Sequence, residues 1–206
     1  MSVSTAIARS PIKPVAPVAV VDGWQVSQRR STAPLRLSDQ TPRAKVLVKA
    51  DANGAFTAAH STTFGAVRRV GDALEVGCDP GGWLTVGGIG LAAALIEAAN
   101  EVAEKAGEFV TVIDLTHGRA LMRLTGAHSI GLLYKICAID LGDAVTPNLS
   151  AFRSSVAKLV TDVVRDDLAD GTRSYLLHCE RSSGQHLFDC ILDAGAEFDI
   201  DVDGWS

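Results

Sequence analysis

Aromatic side chains make up only 5% of the 206 residues, and the 19 Lys and Arg fall short of the 24 Asp and Glu. A net charge of −5 argues against a general nucleic-acid binder or a protein drawn to anionic membranes, since both need a basic field. No run approaches the roughly 20 apolar residues of a membrane span, and Pro14 and Pro17 interrupt the apolar stretch near the start. Neither a spanning helix nor a secretory signal is therefore expected, and the expected location is the cytoplasm. The four cysteines, Cys78, Cys137, Cys179 and Cys190, show no CxxC or other metal spacing, and three lie within apolar patterns. They read as buried thiols. His60, His117, His128, His178 and His186 form no HxxxH or HExxH pair, so no metal site is expected.

What the chain does have is hydrophobic content, 47%, enough for a real core in one compact domain, with two similar halves as an option. Its charge is divided. Residues 1 to 50 carry eight basic and two acidic side chains, leaving a net of −11 for the remainder. Five of the seven prolines precede Lys45, among Ser and Thr clusters. Residues 1–44 are therefore expected as an extended, largely flexible basic leader, and residues 45–206 as the body. Such a leader suits either a solvated tail or a clamp on an acidic partner.

Along the chain, residues 18–28, with Trp24, suggest one edge strand. Lys45 to Lys49 alternates apolar and charged, a first strand of the body, and Asp51-Ala52-Asn53-Gly54 turns the chain. Ala73 to Val76 and Trp83 to Val86 read as a strand pair joined by the turn formers Cys78-Asp79-Pro80-Gly81-Gly82. A helix follows from about Leu91 to Lys105, with Leu91, Leu95, Ala98 and Val102 on one face. Val110 to Leu115 and Ala120 to Leu124 are strands around Thr116-His117-Gly118-Arg119, and Ile130, Leu133, Tyr134 and Cys137 recur at helical spacing. Ser155 to Arg165 and Arg173 to Cys179 read as two more strands. A last helix starts near Ser182, with Gln185 at capping-box spacing and Leu187, Phe188, Ile191 and Leu192 as its buried face. The order strand, short helix or loop, two strands, helix, strand thus occurs over about 45–115 and again over 119–202. The expected fold is α+β, with two ferredoxin-like βαββαβ-type halves sharing antiparallel sheet.

Candidate chemistry is sparse. Gly88-Ile89-Gly90-Leu91-Ala92-Ala93 spells GxGxxG/A between a strand and a helix, and Asp114 could accept ribose hydroxyls, the arrangement of a nucleotide-binding turn. The adjacent strand pairs after Asp114 favour a plain helix-packing turn instead. His117, near Asp114 and Arg119, shows no orienting group or pocket and reads as a turn histidine. Ser182-Ser183-Gly184 lacks the GxSxG setting of a nucleophile. Arg153, Lys158 and Arg181 could hold a carboxylate, or serve as surface and partner contacts. Trp83, Phe152, Tyr175 and Phe188 read as core or interface aromatics. No catalytic, cofactor-binding or metal residue is assigned.

The wording of several segments resembles one family. Asp114-Leu115-Thr116-His117, then Leu124-Thr125-Gly126, then Cys137-Ala138-Ile139-Asp140-Leu141 is similar to the gamma subunit of heterotetrameric sarcosine oxidase, a relative of the folate-binding domain of glycine-cleavage aminomethyltransferases. Val76 to Leu84 is a second such segment, with Gly81 and Gly82 where the family has acidic residues, and Ser154 to Lys158, Tyr175 and Arg181-Ser182 follow in order. The similarity spans residues 45–198. It implies a folate-binding-domain-like fold and a cytoplasmic complex that oxidises sarcosine to glycine and hydrogen peroxide, passing the one-carbon unit to tetrahydrofolate or releasing formaldehyde. It also implies that FAD, FMN, NAD, zinc and the folate site belong to larger flavoprotein partner subunits, this chain being accessory and non-catalytic. The alternatives are a stand-alone folate-dependent aminomethyl- or methyltransferase-like protein and a nucleotide-binding module at the Gly88–Gly90 turn.

Overall fold

A computed structural model describes residues 6–205. Near the start, Ala8–Arg9 (β1), Val18–Val21 (β2) and Trp24–Ser27 (β3) form a small sheet of order β1-β3-β2. Leu35–Asp39 (β4) follows. The first half of the body comprises Arg43–Lys49 (β5), helix Ala55–Ala59 (α1), Val67–Val70 (β6), Ala73–Asp79 (β7), Gly82–Ile89 (β8), helix Ala92–Ala106 (α2) and Thr111–Asp114 (β9). The second comprises Arg119–Gly126 (β10), helix Ser129–Ile136 (α3), Ala151–Val156 (β11), Leu159–Arg165 (β12), Ser174–Glu180 (β13), helix Gly184–Gly195 (α4) and Ile200–Asp203 (β14).

The fold is α+β and the halves are repeats. The first sheet runs β6-β7-β8-β5-β9 and the second β11-β12-β13-β10-β4-β14, so matching strands occupy matching places with β4 inserted in the second. Each half holds one strand more than its pattern suggests. β6, with Val67 buried and Arg68, Arg69 and Val70 exposed, lacks the alternation that marks a strand. Ser155 to Arg165, expected as one strand, is the hairpin β11–β12, turned at Ala157 and Lys158 with φ of 48° and 66°.

The described part of the leader is not a separate arm. β4 pairs antiparallel with β10, Leu37 opposite Leu124, and parallel with β14, Leu37 opposite Val202. Leu35 and Leu37 are fully buried, and Ile12 and Trp24 are buried too. Gly126 makes the insertion possible, because a Cβ there would lie 2.1 Å from the Pro34 carbonyl oxygen and its φ is +139°. The expected boundary at residue 45 therefore cuts through the body; proline and polar composition concealed a five-residue strand.

The layers run helix, sheet, sheet, helix. Phe56, Val48 and Trp83 pack beneath α1 and α2, while Leu74, Val76, Leu84 and Val86 face Leu121, Val164 and Leu176 across the space between the sheets. A third and larger core joins the second sheet to α3 and α4 through residues such as Leu124, Leu133, Tyr175, Leu177 and Ile191. β13 is consequently buried on both faces, and its run Ser174 to Cys179 shows no polar side.

Candidate functional site

Between the two sheets lies a cavity of about 30 Å³. Val76, Leu84 and Val86 wall it from one side and Leu121, Val164 and Leu176 from the other, while Asp162, His178 and Arg153 supply polar groups, with Cys78 and the exposed Phe64 also in the lining. Strand pairing places the polar set. Asp162 on β12 sits opposite His178 on β13, which in turn sits opposite Leu121 on β10, so all three point into the inter-sheet space.

Three donors converge on the Asp162 carboxylate. Arg153 donates from Nε at 2.6 Å and Nη2 at 3.1 Å, Arg119 donates from Nη2 at 3.1 Å, and His178 Nδ1 lies 3.3 Å away. Burial alone would raise the carboxyl's pKa, but the hydrogen bonds from His178 and Arg153 outweigh it and hold the group well below the usual carboxylate range. Asp162 is thus ionised. For His178, only 3% exposed, burial dominates and pushes the imidazole down despite Asp162, so the neutral ring prevails at neutral pH. With Nδ1–H directed at Asp162, Nε2 becomes an acceptor, and it is buried without a partner among the described residues.

A carboxylate orienting an imidazole is the base half of a catalytic pair. The thiol in the lining, Cys78, is pushed up by burial and so held protonated. The volume exceeds the 10–15 Å³ or so that a water requires and falls far below the roughly 300–1,000 Å³ of cofactor pockets. A folate therefore does not fit the cavity as it stands.

The residues singled out from sequence are dispersed. At the glycine-rich turn, a Cβ on Gly87 would lie 2.8 Å from Leu95 Cδ1 and one on Gly88 3.3 Å from Leu91 Cδ1, so the small residues let α2 sit close to β8. Asp114 accepts from the Thr116 amide at 2.8 Å within its own loop. His117 stacks on Trp24 with ring centroids 4.7 Å apart and an interplanar angle of 9°. Arg153 joins the Asp162 cluster, Arg181 donates to the Arg9 carbonyl at 2.6 Å, and Lys158 lies in the β11–β12 turn facing a different groove. They make no common carboxylate site. Ser182 and Gln185 form no capping box either: a 3₁₀ turn, Arg181–Ser183, precedes α4, and Gln185 Oε1 accepts from the Lys13 amide at 2.6 Å. Trp83, Tyr175 and Phe188 are buried core residues and Phe152 is partly buried. Cys137 and Cys179 are buried, whereas Cys78 and Cys190 are partly exposed. Among the described residues, no group of three or more His, Cys, Asp or Glu could hold a metal ion, and no helix is long and apolar enough to cross a membrane.

No family model matches the chain, and no curated protein matches it. Solved structures do. One is a heterotetrameric sarcosine oxidase from Corynebacterium sp. U-96 in complex with pyrrole 2-carboxylate, matched with a TM-score of 0.69 at 19% identity over 84% of this chain and 89% of that one. Another is the glycine cleavage system aminomethyltransferase T from Bartonella henselae, with a TM-score of 0.71 at 14% identity, over 97% of this chain and 60% of that one. This chain shares their fold. The likeness agrees with the family relation suggested by the motifs, and the structure gives those motifs packing roles. Leu124, Cys137 and Leu141 are core residues, Thr116 accepts the Lys45 amide through its hydroxyl at 3.1 Å, and Asp140 accepts the Gly142 amide at 2.9 Å.

Proposed function

We propose that this chain is a non-catalytic, gamma-like accessory subunit of a cytoplasmic, heterotetrameric sarcosine oxidase-type complex. The complex would demethylate sarcosine oxidatively to glycine, with the one-carbon unit passed to tetrahydrofolate or released as formaldehyde, and with FAD, FMN, NAD, zinc and tetrahydrofolate held by partner subunits. The observation that carries this reading is the match to one sarcosine oxidase chain over 84% of this chain and 89% of the other. The volume of the inter-sheet cavity, too small for a folate as it stands, favours it too. So does helix α2, which leaves Leu91, Ala98, Val102 and, just beyond its end, Phe109 in solvent, apolar surface suited to burial against a larger subunit. Glu97, Glu101 and Glu104 on the same helix would meet basic groups on that partner.

Purification of the chain alone and co-expressed with candidate flavoprotein subunits tests the proposal. A flavin-loaded assembly that retains the chain and turns over sarcosine supports it; a solitary monomer that turns over sarcosine refutes it.

The second reading, a folate-dependent transferase-like protein, is favoured by one feature, the unpartnered Nε2 of His178 at the cavity. Calorimetry with tetrahydrofolate separates the two. Saturable binding by this chain alone favours the transferase, and its absence favours the accessory subunit.

A further inference from the structure

On the opposite side of the second sheet, α3, the β11–β12 turn and α4 enclose an open groove of about 690 Å³. Into it α4 presents His186 and Cys190, one turn apart, with Sγ 3.6 Å from Nε2. Residues at i and i+4 share a helix face, so the pairing follows from the helix itself. Lys158 lines the same groove and makes no hydrogen bond or ion pair with any described residue, unlike its neighbour Lys135, which is bound to the Ala194 carbonyl and Glu197. The hairpin turn that carries Lys158 has two successive non-glycine residues at positive φ, Ala157 and Lys158.

The four thiols differ in their settings. Cys179 is fully buried and burial pushes its thiol up to about 11, while Cys137 is 6% exposed and Cys78 is raised by burial. Cys190 is half-buried at the groove surface and has an imidazole in contact. A thiol with access and an adjacent base is the kind that exchanges with disulfides.

We propose that Cys190 is a thiol-modification site at which His186 accepts the thiol proton and Lys158 holds the carboxylate end of a small anionic disulfide, the oxidised form of an acidic thiol peptide. The Cys190 thiol passes its proton to His186 Nε2, and the resulting thiolate attacks one sulfur of the incoming disulfide. That disulfide bond breaks as the new one to Sγ forms, and the departing thiolate takes up a proton. The incoming disulfide is the oxidant, and the product is a mixed disulfide that fills the groove between α3 and α4 with an anionic group.

The test uses the full chain with oxidised glutathione as the anionic probe and bis(2-hydroxyethyl) disulfide as the neutral one, read by intact mass and peptide mapping. Cys190 is expected to be labelled first, with Cys137 and Cys179 labelled only on unfolding. His186→Gln should slow labelling by both probes by at least about tenfold, as loss of a general base requires. Lys158→Gln should slow only the anionic probe. The proposal is overturned if Cys78 reacts as fast as Cys190, or if His186→Gln leaves the Cys190 rate unchanged. Lys158→Gln slowing both probes alike would remove the lysine's role and with it the preference for anionic disulfides. The wild-type comparison of the two probes needs no variant, so a folding defect in either substitution does not decide the outcome.

Discussion

In the second half of the chain, α4 buries Leu187, Phe188 and Ile191 beneath α3 and the N-terminal segment; in the first, the corresponding α2 has no buried residue along its fifteen. The strand orders match, so topology does not account for the difference. What differs is cover. The second half gains β4 as an extra strand and packs Ile12 against its core, while α2 receives only the five-residue α1. α2 relies instead on an alanine-rich sequence of high helix propensity. Two copies of one architecture have thus divided the work, one built around its own core and the other leaving a helix face open.

The largest expected effect comes from removing side chains on which the second half depends. Leu37→Ala should destabilise the protein by about 2–5 kcal/mol, visible as a lowered urea midpoint, because Leu37 is enclosed on β4 between β10 and β14. Ile191→Ala should fall in the same range, whereas Leu95→Ala on α2 should cost less, since its site is only partly enclosed. Equal losses at Ile191 and Leu95 would erase the contrast between the halves.

Each half also places a buried base between the sheets, and pH separates them. For His178, burial depresses the folded pKa below the ordinary 6.5, so the unfolded chain takes up a proton that the folded one resists. Its stabilising contribution is complete above pH 6.5 and declines as pH falls below it. For Lys45, burial first of all brings the ammonium from 10.5 to about 7, even though Nζ donates to the Thr41 and Arg43 carbonyls at 2.7 and 2.8 Å. Between pH 7 and 10.5 the unfolded chain holds the extra proton, so stability rises with pH across that window. Thermal melts should therefore improve from pH 5.5 to 9.5. His178→Gln should flatten the acid limb and Lys45→Met the alkaline one; an unaltered profile in either variant would remove that residue from the account.

The smallest effect on stability is expected on the open face. Val102→Glu, at a residue 52% exposed, should leave the urea midpoint within about 0.5 kcal/mol of the parent. Its effect on retention in the co-purified assembly should be large if α2 is the docking surface, and a full complex containing this variant would move that surface elsewhere.

Much of this was legible in the sequence. The helix expected over Leu91 to Lys105 is Ala92–Ala106, and the strand expected over Arg173 to Cys179 is Ser174–Glu180, because long periodic or continuous apolar runs survive any tertiary context. The stripe Leu91, Leu95, Ala98 and Val102 is legible as a stripe, but the exposure of Leu91, Ala98 and Val102 is not, since alanines make this helix apolar on more than one side. The β11–β12 turn escaped because Ala157 and Lys158 adopt left-handed geometry without the Gly or Asn that would announce it. His178 and Asp162 escaped for a related reason. Their contact depends on the register of β12 against β13 across the loop after Arg165, and register is a property of pairing rather than of either strand's composition.

The position of β4 bears on how the chain acquires its shape. A ribosome makes this strand well before its partner β14, with Leu35 opposite Ile200, because the rest of both halves lies between them in the chain. The first half can gather its strands from neighbouring sequence, whereas the second must hold a place for its sixth strand until β14 has been made. Such long-range closure is slow by nature. On that account, nascent chains stalled before residue 200 should expose an unpaired flank of β4, the stage at which this protein has most need of a chaperone.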